Sequence, residues 1–292
     1  MRSNDPKIVH RWSLSGDPHG IAIGADGTIY VGLAKPQTVV AIDPVRGVVK
    51  TRVVLDRPEI AATKELVALR MNADRTRLYI ANGSDESATI LSLPDMTILR
   101  EITIEGEPIH DAVPDPSGRY LYLLGHRVHV YDINGNRELH TIEAIDDPTA
   151  MAASPSQLAV IGKHRALLFD TTNFSETRAV PDISGIEAAL FDAGSLVLLS
   201  HDALYRAGGE SVTREPICLP DGSGPQIATI GPRSLVLLAE RRCNSSGLSS
   251  AASLYGVNAY ALAYDAETHL LYTTERAGYL TIYRVPRLAI AR

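Results

Sequence analysis

Nine histidines stand out as the side chains best suited to acid–base or metal chemistry in this chain. An imidazole changes charge near neutral pH and is a common ligand for divalent metals. Two of them share a local setting. His19 in DPHG and His110 in PIHD each come just after a proline and just before an apolar run. Three more, His126, His164 and His201, sit in the polar stretches LLGHRV, VIGKHRA and LLSHDA. Glu240 and Glu275 are candidate carboxylate partners, and Tyr260 is a further candidate acid–base group. Arg70 and Arg241 are candidates for holding an anionic part of a ligand. Arg70 is notable because it interrupts the apolar run LVALRM. A buried arginine needs either a carboxylate partner or an anionic ligand.

The elements that must position these groups come from a repeat. IYVGL at 29–33, RLYIA at 77–81 and YLYLL at 120–124 have successors in QLAVIG at 157–162, SLVLLS at 195–200, SLVLLAE at 234–240 and LLYTTE at 270–275. These copies recur at roughly the spacing of propeller blades. Most follow a short apolar strand and a turn built from Asp, Gly, Asn or Pro, as in IAIGADGT and AVPDPSGRY. A third strand follows, as in TVVAID and VHVYDI, and then a fourth, as in GVVKTRVVL and TILREITI. Four short strands make one blade. No sustained helical periodicity with caps is present.

The pattern therefore predicts an all-β fold, a seven-bladed β-propeller formed as one domain over residues 1–292. The last unit ends with YLTIYRV and lacks a fourth strand, whereas KIVHRWSL near the start has no blade of its own. Pairing the two closes the ring and removes exposed edges. Unit six is irregular: after SLVLLAE comes RRCNSSGLSSAASLYGV, rich in Ser and Gly and poor in strand signal. It reads either as a damaged blade or as a loop over a site.

Strand alternation sorts the loops by face. His19 and His110 enter first strands, and His126, His164 and His201 occupy turns between second and third strands, so all five map to one face. Lys35, Asp85, Glu86, Asp111, Lys163, Asp202 and Arg276 join them there, with the candidates named above. Turn residues are solvated and polar in any case, so the three turn histidines also read as ordinary surface. Arg70 likewise reads as one half of an ion pair with a neighbouring blade.

The units DPHGIAIGADGTIYVGL, RMNADRTRLYIAN and PDPSGRYLYLLGHRVHVYDI resemble the YVTN-type repeats of bacterial propellers. That class includes lactonases, amine-dehydrogenase-type subunits and surface proteins, so the resemblance implies a fold more than an activity. Asp17-Pro18-His19-Gly20-Ile21 also resembles the P-H-G/A-I motif of the streptogramin lyases, propellers that use Mg²⁺ with His and Glu. Their W-F-T-E-x-x-x-N-K-I-G-R motif is absent here, with Thr274-Glu275 a partial match.

Composition excludes some classes. The net charge is −6, and Lys and Arg are scattered without a basic stripe, which argues against a nucleic-acid partner. No apolar run is long enough to span a membrane, and MRSNDPKIVHRWSL lacks a signal-peptide core, so a cytoplasmic location is expected. Cys218 and Cys243 are expected to be reduced thiols there. No Walker loop, Rossmann glycine pattern, G-x-S-x-G or H-E-x-x-H is present. The expectation is a protein that binds a small polar or anionic molecule at one face of the axial channel. Lyase, isomerase or lactonase-type hydrolase chemistry is open to it. A divalent metal ion, Mg²⁺ or Ca²⁺, is a candidate cofactor, with His19 and His110 its candidate ligands. The alternative is a non-catalytic scaffold that binds another protein.

Overall fold

Each repeated apolar run becomes the second strand of a sheet, with its neighbours paired on either side in chain order. The computed structural model describes residues 7–34, 36–55, 68–82, 86–143, 145, 148–200, 202–216, 227–231, 234–238, 251–254, 259–265, 267–275 and 277–284. After β1 (Lys7–Ser13), blade I is β2 (Pro18–Ile23), β3 (Ile29–Ala34), β4 (Gln37–Ile42) and β5 (Val49–Val54). Blade II is β6 (Ala68–Met71), β7 (Arg77–Ala81), β8 (Ser87–Ser92) and β9 (Thr97–Thr103). Blade III is β10 (Asp111–Pro114), β11 (Tyr120–Leu124), β12 (Val128–Asp132) and β13 (Arg137–Ile142). Blade IV is β14 (Ala150–Ala153), β15 (Gln157–Ile161), β16 (Ala166–Asp170) and β17 (Glu176–Val180). Blade V is β18 (Ile186–Asp192), β19 (Ser195–Ser200), β20 (Ala203–Gly208) and β21 (Ser211–Pro216). A smaller sheet follows, β22 (Ile227–Gly231), β23 (Ser234–Leu238) and β24 (Ala251–Leu254). Blade VI is β25 (Ala259–Asp265), β26 (Leu270–Glu275) and β27 (Tyr279–Arg284), completed by β1.

The expectation of seven blades is corrected to six. Six sheets have four antiparallel strands, and the stretch that supplies the sixth repeat does not make a seventh blade of that kind. It forms a three-stranded sheet whose last two strands, β23 and β24, run parallel, with Leu235 opposite Ala251 and Leu238 opposite Leu254. A parallel pair needs a long crossover where an antiparallel pair needs only a tight turn. Residues 239–250, AERRCNSSGLSS, separate the two strands and carry no tight hairpin signal. The repeat in SLVLLAE thus predicted one strand correctly and not the blade around it. Around the axis the first strands still follow one another, β22 touching β18 on one side and β25 on the other.

The core lies between blades. In blade I, β2, β3 and β4 are buried along their whole length, whereas β5 is exposed at five of six positions. A sheet pressed on both faces by neighbours has no solvent side, so its inner strands read as continuous apolar runs. Equivalent tyrosines of the second strands reach across to the next blade. Tyr30 packs with Leu69 and Leu78, Tyr79 with Leu121 and Leu123, Tyr122 with Met151 and Leu158, and Tyr272 with Ile21 and Val31. Burial raises the phenol pKa of each, that of Tyr30 to about 12. The hydroxyl of Tyr122 is buried with no hydrogen-bond partner among the described residues. Leaving such a group unpaired costs about 1–3 kcal/mol. Tyr122→Phe is therefore expected to melt at or above the native temperature, which calorimetry checks. A clear loss of stability would show that the hydroxyl is satisfied by water.

Closure of the ring follows the sequence expectation. β1 pairs antiparallel with β27, Arg11 opposite Thr281 and Ser13 opposite Tyr279. Arg11 donates from Nη2 to Glu275 Oε2 at 2.7 Å, and its guanidinium lies 4.0 Å from the centre of the Tyr279 ring. Trp12 packs against Gly47 of blade I, whose φ of +68° suits glycine; a Cβ there would fall 2.3 Å from the indole. Removing residues 1–14 deletes this ladder and the Trp12 contact, an expected loss of at least about 3 kcal/mol. Thermal melting checks this: the truncated chain should melt roughly 5–10 °C lower. Among the described residues, no helix is long and apolar enough to cross a membrane.

Candidate functional site

The first strands of the blades are rich in small residues, and this leaves room at the axis. At their entry ends lies a cavity of about 270 Å³, walled in part by Gly20, Ala68, Ala150, Ala188 and Ala261. Into this wall the fold brings Arg70 from β6, His110 and Asp111 from the start of β10, Thr149 before β14, and Tyr260 from β25.

Arg70 is not the buried arginine suggested by LVALRM. It lines the channel, and 47% of its side-chain surface is open. The blades surround it, but the channel at its tip does not close. Its partner is the next blade's Asp111. Arg70 Nε donates to Asp111 Oδ1 at 3.2 Å and Nη2 to Oδ2 at 2.8 Å. Asp111 is itself buried and accepts from the backbone N–H of Ala112 at 2.8 Å. The neighbouring carboxylate raises the Arg70 pKa further, against the opposing effect of desolvation.

The candidates from the sequence fall into three groups. His110 and Tyr260 line the cavity with Arg70. His19 does not line it. It is buried on β2 and stacks on Tyr260, ring centres 4.1 Å apart, with Nε2 3.6 Å from Asp17 Oδ2 and with no hydrogen bond among the described residues. His19 and His110 thus adjoin the same end of the channel but do not share the cavity. Glu275 is held away from it by Arg11 and by the hydroxyl of Thr281, while the hydroxyl of Thr274 donates to the His19 carbonyl. His126 and His164 are exposed in their turns and do not line this cavity. Glu240, Arg241 and His201, with Lys35, Asp85, Arg276, Cys218 and Cys243, lie outside the described residues. Among the described residues, no group of three or more His, Cys, Asp or Glu side chains is arranged to hold a metal ion.

Sequence reasoning missed the residues that position His110. The segment between β9 and β10 is clamped by Glu107, which is buried. Glu107 accepts from the Arg127 backbone N–H at 2.7 Å and from its guanidinium at 3.0 and 3.2 Å. His129, buried on β12, faces Glu107 through Nε2 at 3.1 Å and Glu138 through Nδ1 at 2.8 Å. Gly125 leaves space for this clamp, since a Cβ there would fall 2.5 Å from the Glu107 carboxylate. The only sequence signal was a glycine ending an apolar strand, which spacing alone does not connect to Glu107.

Burial alone would push the Glu107 pKa up. The Arg127 N–H, the His129 ring and the Arg127 guanidinium overcome it and hold the carboxyl below its ordinary 4.5. A carboxyl with a depressed folded-state pKa stabilises the fold above its unfolded value, and that stabilisation is lost as pH falls through the folded value. Glu107→Gln should therefore cost about 2 kcal/mol at neutral pH. The gap between variant and native melting temperatures should close as the pH drops below the ordinary carboxyl range. Melting curves from neutral to acid pH check this.

No protein-family model matches the chain, and no curated protein matches it. Solved structures do. A chain from the "Crystal Structure of Mitotic Checkpoint Complex" is similar with a TM-score of 0.77 at 13% identity, over 98% of this chain and 94% of that one. The β-propeller domain of Myceliophteria thermophila Cps50 (Swd1) is similar with a TM-score of 0.73 at 14% identity, over 96% of this chain and 99% of that one. At such identities the likeness is one of fold, and the fold is that of a β-propeller.

Proposed function

We propose that this propeller is a scaffold that binds a protein partner through its outer rim. The observation that carries the reading is where apolar surface remains exposed. Every large hydrophobic side chain exposed among the described residues lies on an outermost strand or the approach to one: Ile8, Val45, Val48, Val49, Val54, Ile98, Leu99, Leu139 and Val212. Val45, Val48 and Val49 form a group at the entry to β5, with Val45 81% exposed, beside the seam where Trp12 meets Gly47. Contiguous apolar exposure is the usual mark of an interaction surface, whereas single exposed residues are ordinary. The neighbours add weight, since one of them is by its title part of a checkpoint complex. Catalysis by His19, His110 and Glu275 draws no comparable support, because these groups do not meet at one point.

In this reading the pattern of strands is a YVTN-type repeat used for shape. The test is affinity capture with cross-linking from the source cells, using the native chain, Val45→Glu/Val48→Glu and Arg70→Lys. A stoichiometric polypeptide should be recovered by the native chain and Arg70→Lys, and lost from the double variant, which should melt like the native protein. Charges placed in the centre of an apolar contact cost about 2 kcal/mol or more, enough for that loss. Capture unchanged by both glutamates, or no stoichiometric partner, would overturn the proposal.

A further inference from the structure

The Arg70–Asp111 pair leaves one edge of a guanidinium available in the axial cavity. Arginine offers five N–H donors in a planar fork. Asp111 takes the side formed by Nε and one N–H of Nη2. Nη1 and the outer N–H of Nη2 have no partner among the described residues, on a side chain that lines the cavity and is half open to it. This outer edge is the geometry that receives a planar oxyanion through two parallel hydrogen bonds.

The edge is also held in place before any ligand arrives. Asp111 is buried and fixed by the Ala112 N–H, and it fixes the guanidinium in turn. Preorganisation of this kind lowers the cost of binding. The His110 imidazole, exposed at the cavity wall, has no hydrogen-bond partner among the described residues. Tyr260 forms another part of the wall, its ring backed by His19. Small residues such as Ala68, Ala150 and Ala188 leave the intervening space unfilled.

We propose that the entry of the axial channel binds a small monocarboxylate, with its oxygens on the outer edge of Arg70, His110 as a second donor, and its organic part against Tyr260 and the alanines. Charge favours one negative charge over two. Asp111 already offsets the guanidinium, so every negative charge a ligand adds is uncompensated, and a phosphate dianion adds twice that of a monocarboxylate. The cavity of about 270 Å³ limits the organic part to a small group. This inference does not depend on the rim of the propeller being a protein-binding surface.

The probes are benzoate, its neutral isostere benzamide, and inorganic phosphate, titrated calorimetrically into the full chain. Benzoate should bind saturably at one site per chain, and neither benzamide nor phosphate should match it. Arg70→Met should weaken benzoate by at least about tenfold, the worth of charged hydrogen bonds lost. That variant leaves Asp111 unpaired, so Arg70→Lys provides the folded control. It retains the charge and loses the fork, and should also bind benzoate about tenfold more weakly. His110→Ala should weaken benzoate without changing the melting temperature. Three outcomes would overturn the site: no saturable benzoate binding into the tens of millimolar, equal binding by native chain and Arg70→Lys, or phosphate bound more tightly than benzoate.

Discussion

A ring of sheets has two loose ends, and here backbone hydrogen bonds between Lys7–Ser13 and Tyr279–Arg284 tie them. Without that ladder, β27 would present an unpaired edge, which invites pairing with other chains. The ladder also does more than cover an edge. Through Trp12 on Gly47 and Arg11 on Glu275, β1 fixes blade VI against blade I. The contact of Thr274 with the His19 carbonyl lies at that same seam, and so does the stacking of His19 on Tyr260. The cavity wall contributed by Tyr260 therefore depends on a strand at the opposite end of the sequence.

The blade faces impose a second constraint that opposes the first. Packing between blades favours large side chains at the second strands, and the four tyrosines show this. First strands converging on one axis leave less room, and small residues there prevent collision. Alanine and glycine at these positions turn a crowded axis into a cavity. A charged residue is tolerated in it only when anchored, which accounts for the Asp111 brace on Arg70.

Strand positions and ring closure were legible in the sequence because both rest on local pattern: apolar runs at regular spacing, and one strand missing where another was spare. The blade count was not, because it needed pairing direction. SLVLL reads the same whether its neighbour runs antiparallel or, like Ala251–Leu254, parallel. The exposure of Arg70 was misread for a related reason. An arginine within LVALRM looks buried along the strand, but the pattern says nothing about open space at the axis. Its pairing with an acidic residue of a neighbouring blade was foreseeable in kind, although Asp111 could not be singled out.

The histidines show where local pattern loses its power. His19 and His110 share a proline, an apolar run and a place at a strand entry, yet one ring is buried on Tyr260 and the other is exposed in the cavity. The difference comes from what lies beside each. His19 faces blade VI, whose Tyr260 supplies a ring to stack on, and its Nε2 has no hydrogen bond among the described residues. His110 follows a segment pinned by Glu107, Arg127 and His129, which holds its backbone while leaving its ring uncovered. Equivalent positions in a repeat therefore acquire different environments from their neighbours across the blade boundary. Among the described residues, Arg70 and His110 line the cavity with donors that no neighbouring side chain takes, and the proposed carboxylate site rests on that pair.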